Sequence, residues 1–304
     1  MKAFTSPRYF VPLPPGHVFP MRKFPDSAAT LLAEGTLADT IDPGLIADVD
    51  LLRVHTPAYV GSIRSGLFNE VTARRLGLPP SPELSLRSHC AVAGTLAAAR
   101  AALVDGIAAN LAGGTHHAFA DRGEGFCVFN DVAVAIRALQ AEEPLLHAMV
   151  VDLDAHQGNG THAILRGDPR VYTYSVHVGR NYPSVKEPGS EDVELPRWVS
   201  GGEYLERLHA TLPAAVERFE PDVVFYIAGV DVHADDRFGQ MMLSTSDMGE
   251  RDAFTIDLCR GWNIPTVVLY GGGYNKGEGM TTELHCQSVR VAKRRYDSER
   301  EVKV

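Results

Sequence analysis

The sequence predicts an α/β domain built on a mostly parallel sheet with helices on both faces, and three observations predict it. First, four apolar runs break at their carboxyl-terminal ends into polar residues: Ile107 to Gly114, Ala148 to Val151, Val223 to Val230 and Thr266 to Leu269. Second, helix-like and strand-like patterns alternate from about residue 86 onward, the signature of parallel strands joined by helical crossovers. Third, the chain has 304 residues, 45% hydrophobic and 22% charged, an ordinary composition that can bury a full core. We read residues 1–304 as one domain, with a motif-bearing core of about 86–295 and a charged tail of about 294–304.

In chain order, the first 85 residues are punctuated by prolines, among them Pro12, Pro14, Pro15, Pro20, Pro25, Pro57, Pro79, Pro80 and Pro82. Loops and short helices packed on the sheet are expected there. Ser88 is a candidate cap for an Ala-rich helix His89 to Asp105, ended by Gly106. Ile107 to Leu111 reads as a short buried strand. Asp131 to Gln140 is amphipathic and leads past Pro144 into a strand Leu146 to Leu153. A helix over Gly160 to Leu165 precedes the β-rich run Val171 to Val178. Ser200 and Glu203 have capping-box spacing for a helix reaching Phe219, which Pro213 should kink or split. Asp247 and Glu250 repeat that spacing before a helix ending near Gly261.

Charge and cysteine content exclude several classes. The net charge of −9 offers no basic footprint for direct nucleic-acid binding. Cys90, Cys127, Cys259 and Cys286 are scattered, without metal-finger spacing, and fit reduced thiols in a cytoplasmic protein. No segment approaches the roughly 18 continuous apolar residues of a membrane span, and the first residues lack a signal-peptide pattern.

The polar ends of the four runs carry the chemistry. Ligands of open parallel sheets bind outside the carboxyl ends of the strands. Four strands therefore deliver His116-His117, Asp152-x-Asp154-x-His156, Asp231 and Tyr274 to one crevice. Asp152, Asp154 and His156 are spaced two apart, so in extended chain they point the same way. Two carboxylates and an imidazole leave a divalent ion open to water and substrate, as hydrolysis requires. A lone Asp-x-His is weak evidence; directly after an apolar strand, with Asp231 after another, it is far stronger. One of the paired histidines is suited to proton transfer, and a phenol at Tyr274 to holding a developing oxyanion.

At this point a resemblance becomes specific. Gly-Gly-Thr-His116-His117, Gly125-Phe-Cys-Val-Phe-Asn130, Asp152-Leu-Asp-Ala-His-Gln-Gly-Asn-Gly160, Ala228-Gly-Val-Asp231 and Gly271-Gly-Gly-Tyr274 resemble the zinc-dependent histone deacetylase family, in the family's order. The wording after Asp154 looks most like its class IV branch and bacterial relatives. The resemblance implies the arginase–deacetylase fold with a central, mostly parallel eight-stranded sheet. It implies one Zn²⁺ held by Asp154, His156 and Asp231, with His117 as general base and then acid. His116 would be an electrostatic partner oriented by Asp152, and Tyr274 would polarise the amide carbonyl. Gly125, Phe126, Tyr182 and Gly272 would line an acyl-lysine channel, and Asp152, Ser175 and Val176 match a structural K⁺ segment. The sequence departs from many relatives at Asn159, which stands where they place an aspartate against the second histidine; class IV members share it.

The implied activity is removal of acetyl or longer acyl groups from lysine. Alternatives are an acetylpolyamine or other small acetylated amine as substrate, or a catalytically silent acyl-lysine-binding module. The related ureohydrolases need two manganese ions, but Gly158 and His233 stand where their bridging carboxylates would be.

Overall fold

The computed structural model describes residues 1–277 and 279–302. Seven strands, all parallel, form one sheet: β1 (Lys2–Phe4), β2 (Ile107–Asn110), β3 (Ala148–Asp152), β4 (Val171–Val178), β5 (Glu191–Leu195), β6 (Val223–Ile227) and β7 (Thr266–Leu269). Their spatial order is β1-β2-β7-β6-β3-β4-β5. The eight strands implied by the resemblance are thus seven among the described residues. The four central strands are buried at every position. That is what a parallel sheet covered on both faces requires, and it explains their largely apolar sequences, in which the polar residues Asn110, Asp152 and Thr266 stand at strand ends.

Among the described residues, ten α-helices surround the sheet: α1 (Lys23–Ala33), α2 (Asp48–Leu51), α3 (Pro57–Arg64), α4 (Glu70–Leu76), α5 (Pro82–Asp105), α6 (Asp131–Glu142), α7 (Asn159–Leu165), α8 (Gly201–Phe219), α9 (Thr245–Gly261) and α10 (Met280–Val302). Helix α5 packs on β1, β2 and β7 and against α6, while α8, α9, α10 and α1 contact one another in series.

Several local expectations are corrected. Helix α5 starts seven residues before the expected His89, because Ser81 accepts from the Leu84 N–H at 3.0 Å and Pro82 presets the first turn. Ser88 instead bonds the Leu84 carbonyl inside the helix. Helix α8 runs unbroken through Pro213, since Leu205, Leu208, Leu212, Ala215 and Val216 keep one buried face across it. Ser244 caps α9, with Asp247 closing the box rather than opening it. The proline-rich start also contributes a strand: β1 pairs with β2 in register Lys2 to Ala108. The charged stretch from Arg294 to Val302 continues α10 and is no separate tail; residues 303 and 304 lie outside the described residues.

The chain order places the site. After β3 the sheet grows through β4 to β5 on one side; after β6 it grows through β7 on the other. The direction of winding reverses between β3 and β6, and a crevice opens outside their carboxyl ends.

Candidate active site

Asp154 and His156 leave the end of β3 and Asp231 leaves the end of β6, so the switch point gathers all three. Their ligand atoms lie within 4.8 Å of one another, and each residue is buried. His156 Nδ1 is 2.8 Å from Asp231 Oδ2 and 3.1 Å from Asp154 Oδ1. Backbone N–H groups hold the carboxylates in place: Gly272 donates to Asp154 Oδ2 at 2.7 Å, and Ala155 to Asp231 Oδ1 at 2.9 Å. A Cβ at position 272 would lie 2.4 Å from Asp231 Oδ2, so only glycine lets this loop close over the pair. Burial first, and the neighbouring Asp154 charge second, push the Asp231 carboxyl up to about 7. Two crowded carboxylates with one imidazole are the donor set of an open divalent-cation site, and a cation would relieve that crowding.

The histidine pair follows β2. Its loop is clamped by a residue the sequence reading passed over: buried Asp131, at the start of α6, accepts from the N–H of Thr115 at 2.7 Å and of Gly114 at 3.1 Å. Asn130 caps α6 and donates to the Ala118 carbonyl at 3.1 Å. The Phe129-Asn130-Asp131 segment therefore fixes the two rings. Their centroids are 4.1 Å apart, yet their partners differ. His116 Nδ1 is 2.7 Å from Asp152 Oδ2; burial lowers its pKa, but Asp152 and Asp154 outweigh that and raise it to about 9. His117 Nδ1 is 2.8 Å from the Asn159 amide oxygen, and burial, then the His116 and His156 charges, hold its pKa well below the usual value. The two rings thus sit in opposite settings, one facing a carboxylate and the other an amide.

Tyr274 reaches the site from the loop after β7. Two further residues, neither of them given this role by the sequence, hold that loop. Asp236 accepts the Tyr274 N–H at 2.6 Å, together with those of Phe238 and Gly239, and Lys23 Nζ donates to the Gly271 carbonyl at 3.1 Å. Burial, then the Asp154 and Asp231 charges, raise the Tyr274 phenol well above its ordinary value, so it stays a donor. Its hydroxyl makes no hydrogen bond among the described residues. No pattern marked Lys23 or Asp236, because their partners lie 248 and 38 residues away.

A funnel of about 400 Å³ leads to these groups, lined by Gly125, Phe126, Tyr182, Phe238 and Tyr274 among others. Phe126 takes a left-handed φ of 65°, a strained setting for an aromatic residue, which aims its ring at Tyr274 with centroids 5.6 Å apart. Tyr182 faces His117 edge-on at 4.9 Å. A Cβ on Gly125 would press 2.7 Å from the His117 ring. Below lies a smaller chamber of about 40 Å³, bounded by Gly272, Lys23, Arg87 and the metal-competent cluster. The other anticipated cation residues, Asp152 and Ser175, are register partners on β3 and β4, with Val176 next on β4; Ser175 Oγ is 2.9 Å from His177 Nδ1.

Fold and site together define an α/β protein with a buried Asp-His-Asp centre at a sheet switch point. The histone deacetylase domain profile matches residues 17–289. The chain is 39% identical over 292 residues to an uncharacterized protein of Picosynechococcus sp., covering 95% of this chain and 97% of that one. It is 32% identical to histone deacetylase 2 of Arabidopsis thaliana, covering 86% and 70%. It is 27% identical to the acetoin utilization protein AcuC of Staphylococcus aureus, covering 77% and 66%. The HD domain of HDA15 has the same fold, with a TM-score of 0.79 at 21% identity over 97% of this chain and 90% of that one. The chain belongs to the histone deacetylase family.

Proposed function

We propose that this deacetylase-family hydrolase removes acetyl groups from lysine side chains, using one divalent ion, Zn²⁺, held by Asp154, His156 and Asp231. The observation that carries the reading is the convergence of that cluster, His117 and Tyr274 at the foot of one apolar funnel. The ion, when bound, supplies Lewis acidity to the amide carbonyl and to water. Neutral His117 takes a proton from the attacking water as its oxygen bonds the acyl carbon. Tyr274 donates to the carbonyl oxygen as charge develops there. The C–N bond then breaks, and His117 passes the proton to the leaving amine. His116, held protonated by Asp152, stabilises the negative charge gathered at the centre. K⁺ at Asp152, Ser175 and Val176 remains part of the proposal on the strength of the motif.

Substrate class follows from the walls. Arg74, Arg75 and Arg237 line the outer funnel, and among the described residues no carboxylate does. Asp236 spends its oxygens on three backbone N–H groups, and Asp235 accepts from Lys276 and Gly277 N–H. The three guanidiniums at the mouth oppose entry of a cationic acetylpolyamine, whereas a lysine side chain enters as a neutral acyl-amide. The chamber of about 40 Å³ suits a two-carbon acyl group better than a long chain. A silent binding module would have no use for the retained cluster and Tyr274. The test is metal-loaded protein with acyl-lysine peptides of increasing chain length, flanked by acidic or basic residues, beside acetylputrescine. Acetyl-lysine in an acidic context should be the best substrate; preference for acetylputrescine would overturn the reading.

A further inference from the structure

We propose that Glu124 is a positioning residue for His117, acting through Asn159; the inference rests on the role of His117 given above. His117 can accept a proton at Nε2 only if its Nδ1 already carries one, so Nδ1 must face an acceptor. Asn159 offers its amide oxygen at 2.8 Å, but an amide can turn over and present its NH₂ instead, which would select the opposite, inactive tautomer. The other end of the amide decides. Asn159 Nδ2 lies 3.3 Å from Glu124 Oε1. An ionised carboxylate only accepts, so it admits the NH₂ and repels the amide oxygen. Glu124 therefore sets the amide, and the amide sets the ring.

Glu124 is itself held. The same Oε1 accepts the Tyr182 hydroxyl at 3.0 Å, and its backbone N–H donates to the Cys127 carbonyl at 3.1 Å. Arg122 Nε stands 3.8 Å from its other oxygen, and the side chain is only 20% exposed. The carboxylate missing at position 159 is thus present one residue further out, with a neutral amide between it and the histidine. The Gly123-Glu124-Gly125 turn that shapes the funnel wall also carries it, so base and wall are tied together.

This arrangement has a consequence that a packing role lacks. In an Asn159→Asp protein a carboxylate needs no orienting, and it would stand 3.3 Å from the Glu124 oxygen as a like charge. Glu124 should then hinder. The experiment is a double-mutant cycle on metal-loaded enzyme with an acetyl-lysine peptide, using the near-isosteric Glu124→Gln, with Asn159→Asp as the second site. Glu124→Gln should lower kcat about 10- to 100-fold in the native background, the usual effect of losing such a supporting partner, with KM and metal content little changed. In the Asn159→Asp background the same change should raise kcat. Equal losses in both backgrounds would overturn the proposal. Nitrogen-15 NMR of the His117 ring supplies a readout independent of turnover. The Nδ1–H form should dominate in the native protein and in Tyr182→Phe, and give way to a tautomer mixture in Glu124→Gln. An unchanged tautomer in Glu124→Gln would overturn it too, and that result stands even if no acyl-lysine peptide is hydrolysed.

Discussion

At the carboxyl end of the sheet, Asp152, Asp154, Asp231 and Asp236 are between 0 and 7% exposed and crowd around a few histidines. At the amino end of the same strands, Asp168 meets the guanidiniums of Arg137 and Arg170, while exposed Asp222 accepts the His147 N–H at 2.7 Å. At one end burial raises Asp236 and pushes Asp231 up to about 7, while Asp154 is held low against its burial by the His116 and His156 charges; at the other end hydrogen bonds from Arg170 and Arg137 hold Asp168 well below the usual carboxylate range. The two ends of one sheet thus hold their carboxylates in opposite ways. On the function proposed above, charge poorly neutralised inside the fold is what a cation would compensate, while charge paired at the rim closes the structure.

The largest test of that contrast is Asp231→Ala. Hydrolysis should fall below detection, and one-to-one metal binding should be lost. The stability effect should depend on metal. Added Zn²⁺ should raise the native protein's melting temperature, equivalent to about 2.7 kcal/mol at one hundred times Kd, and should leave the variant's unmoved. Without metal, the variant should melt at or above the native temperature, because a crowded buried carboxylate has been removed. A variant that melts far lower without metal would show that Asp231 holds the fold together, and the contrast between the two ends would fail.

Next in size is Tyr274→Phe. The hydroxyl has no hydrogen bond among the described residues, while the ring packs against Phe126, Phe19 and Phe238. Loss of one oxyanion donor costs on the order of 10²–10³ in turnover. Metal content, KM and melting temperature should barely change. Turnover within about twofold of native would reduce Tyr274 to a wall residue.

The sequence revealed this end of the molecule better than the rest, for a physical reason. The β2, β3, β6 and β7 strands are fully buried and so apolar through their middles, and each polar residue at or just beyond their carboxyl ends stands out. Edge strands give no such signal: β1 is three residues long, and β5 reads Glu191-Asp-Val-Glu-Leu195, charged because it is half exposed. The residues that brace the site were hidden for another reason. Asp131, Asp236, Lys23 and Glu124 act through contacts closed by folding, and no local spacing encodes them. Asn159 was visible as a departure, but its meaning depends on Glu124, 35 positions away.

The smallest effect belongs to the amino end. Hydrogen bonds from Arg170, chiefly, and from Arg137 keep the Asp168 carboxyl ionised far into acid. The sign follows from linkage: a folded-state pKa below the unfolded value of about 3.9 gives stability that is complete above that pH. It is lost as pH falls through the folded value. Asp168→Asn should therefore cost about 1 kcal/mol at neutral pH, the upper range for a partly exposed pair. The difference from the native protein should shrink as pH drops below about 4. Urea unfolding of both proteins at several pH values measures it, with catalytic rates at neutral pH unchanged. A gap that stays constant into acid would mean the asparagine disturbs packing, and a drop in turnover would mean the two ends of the sheet are not independent.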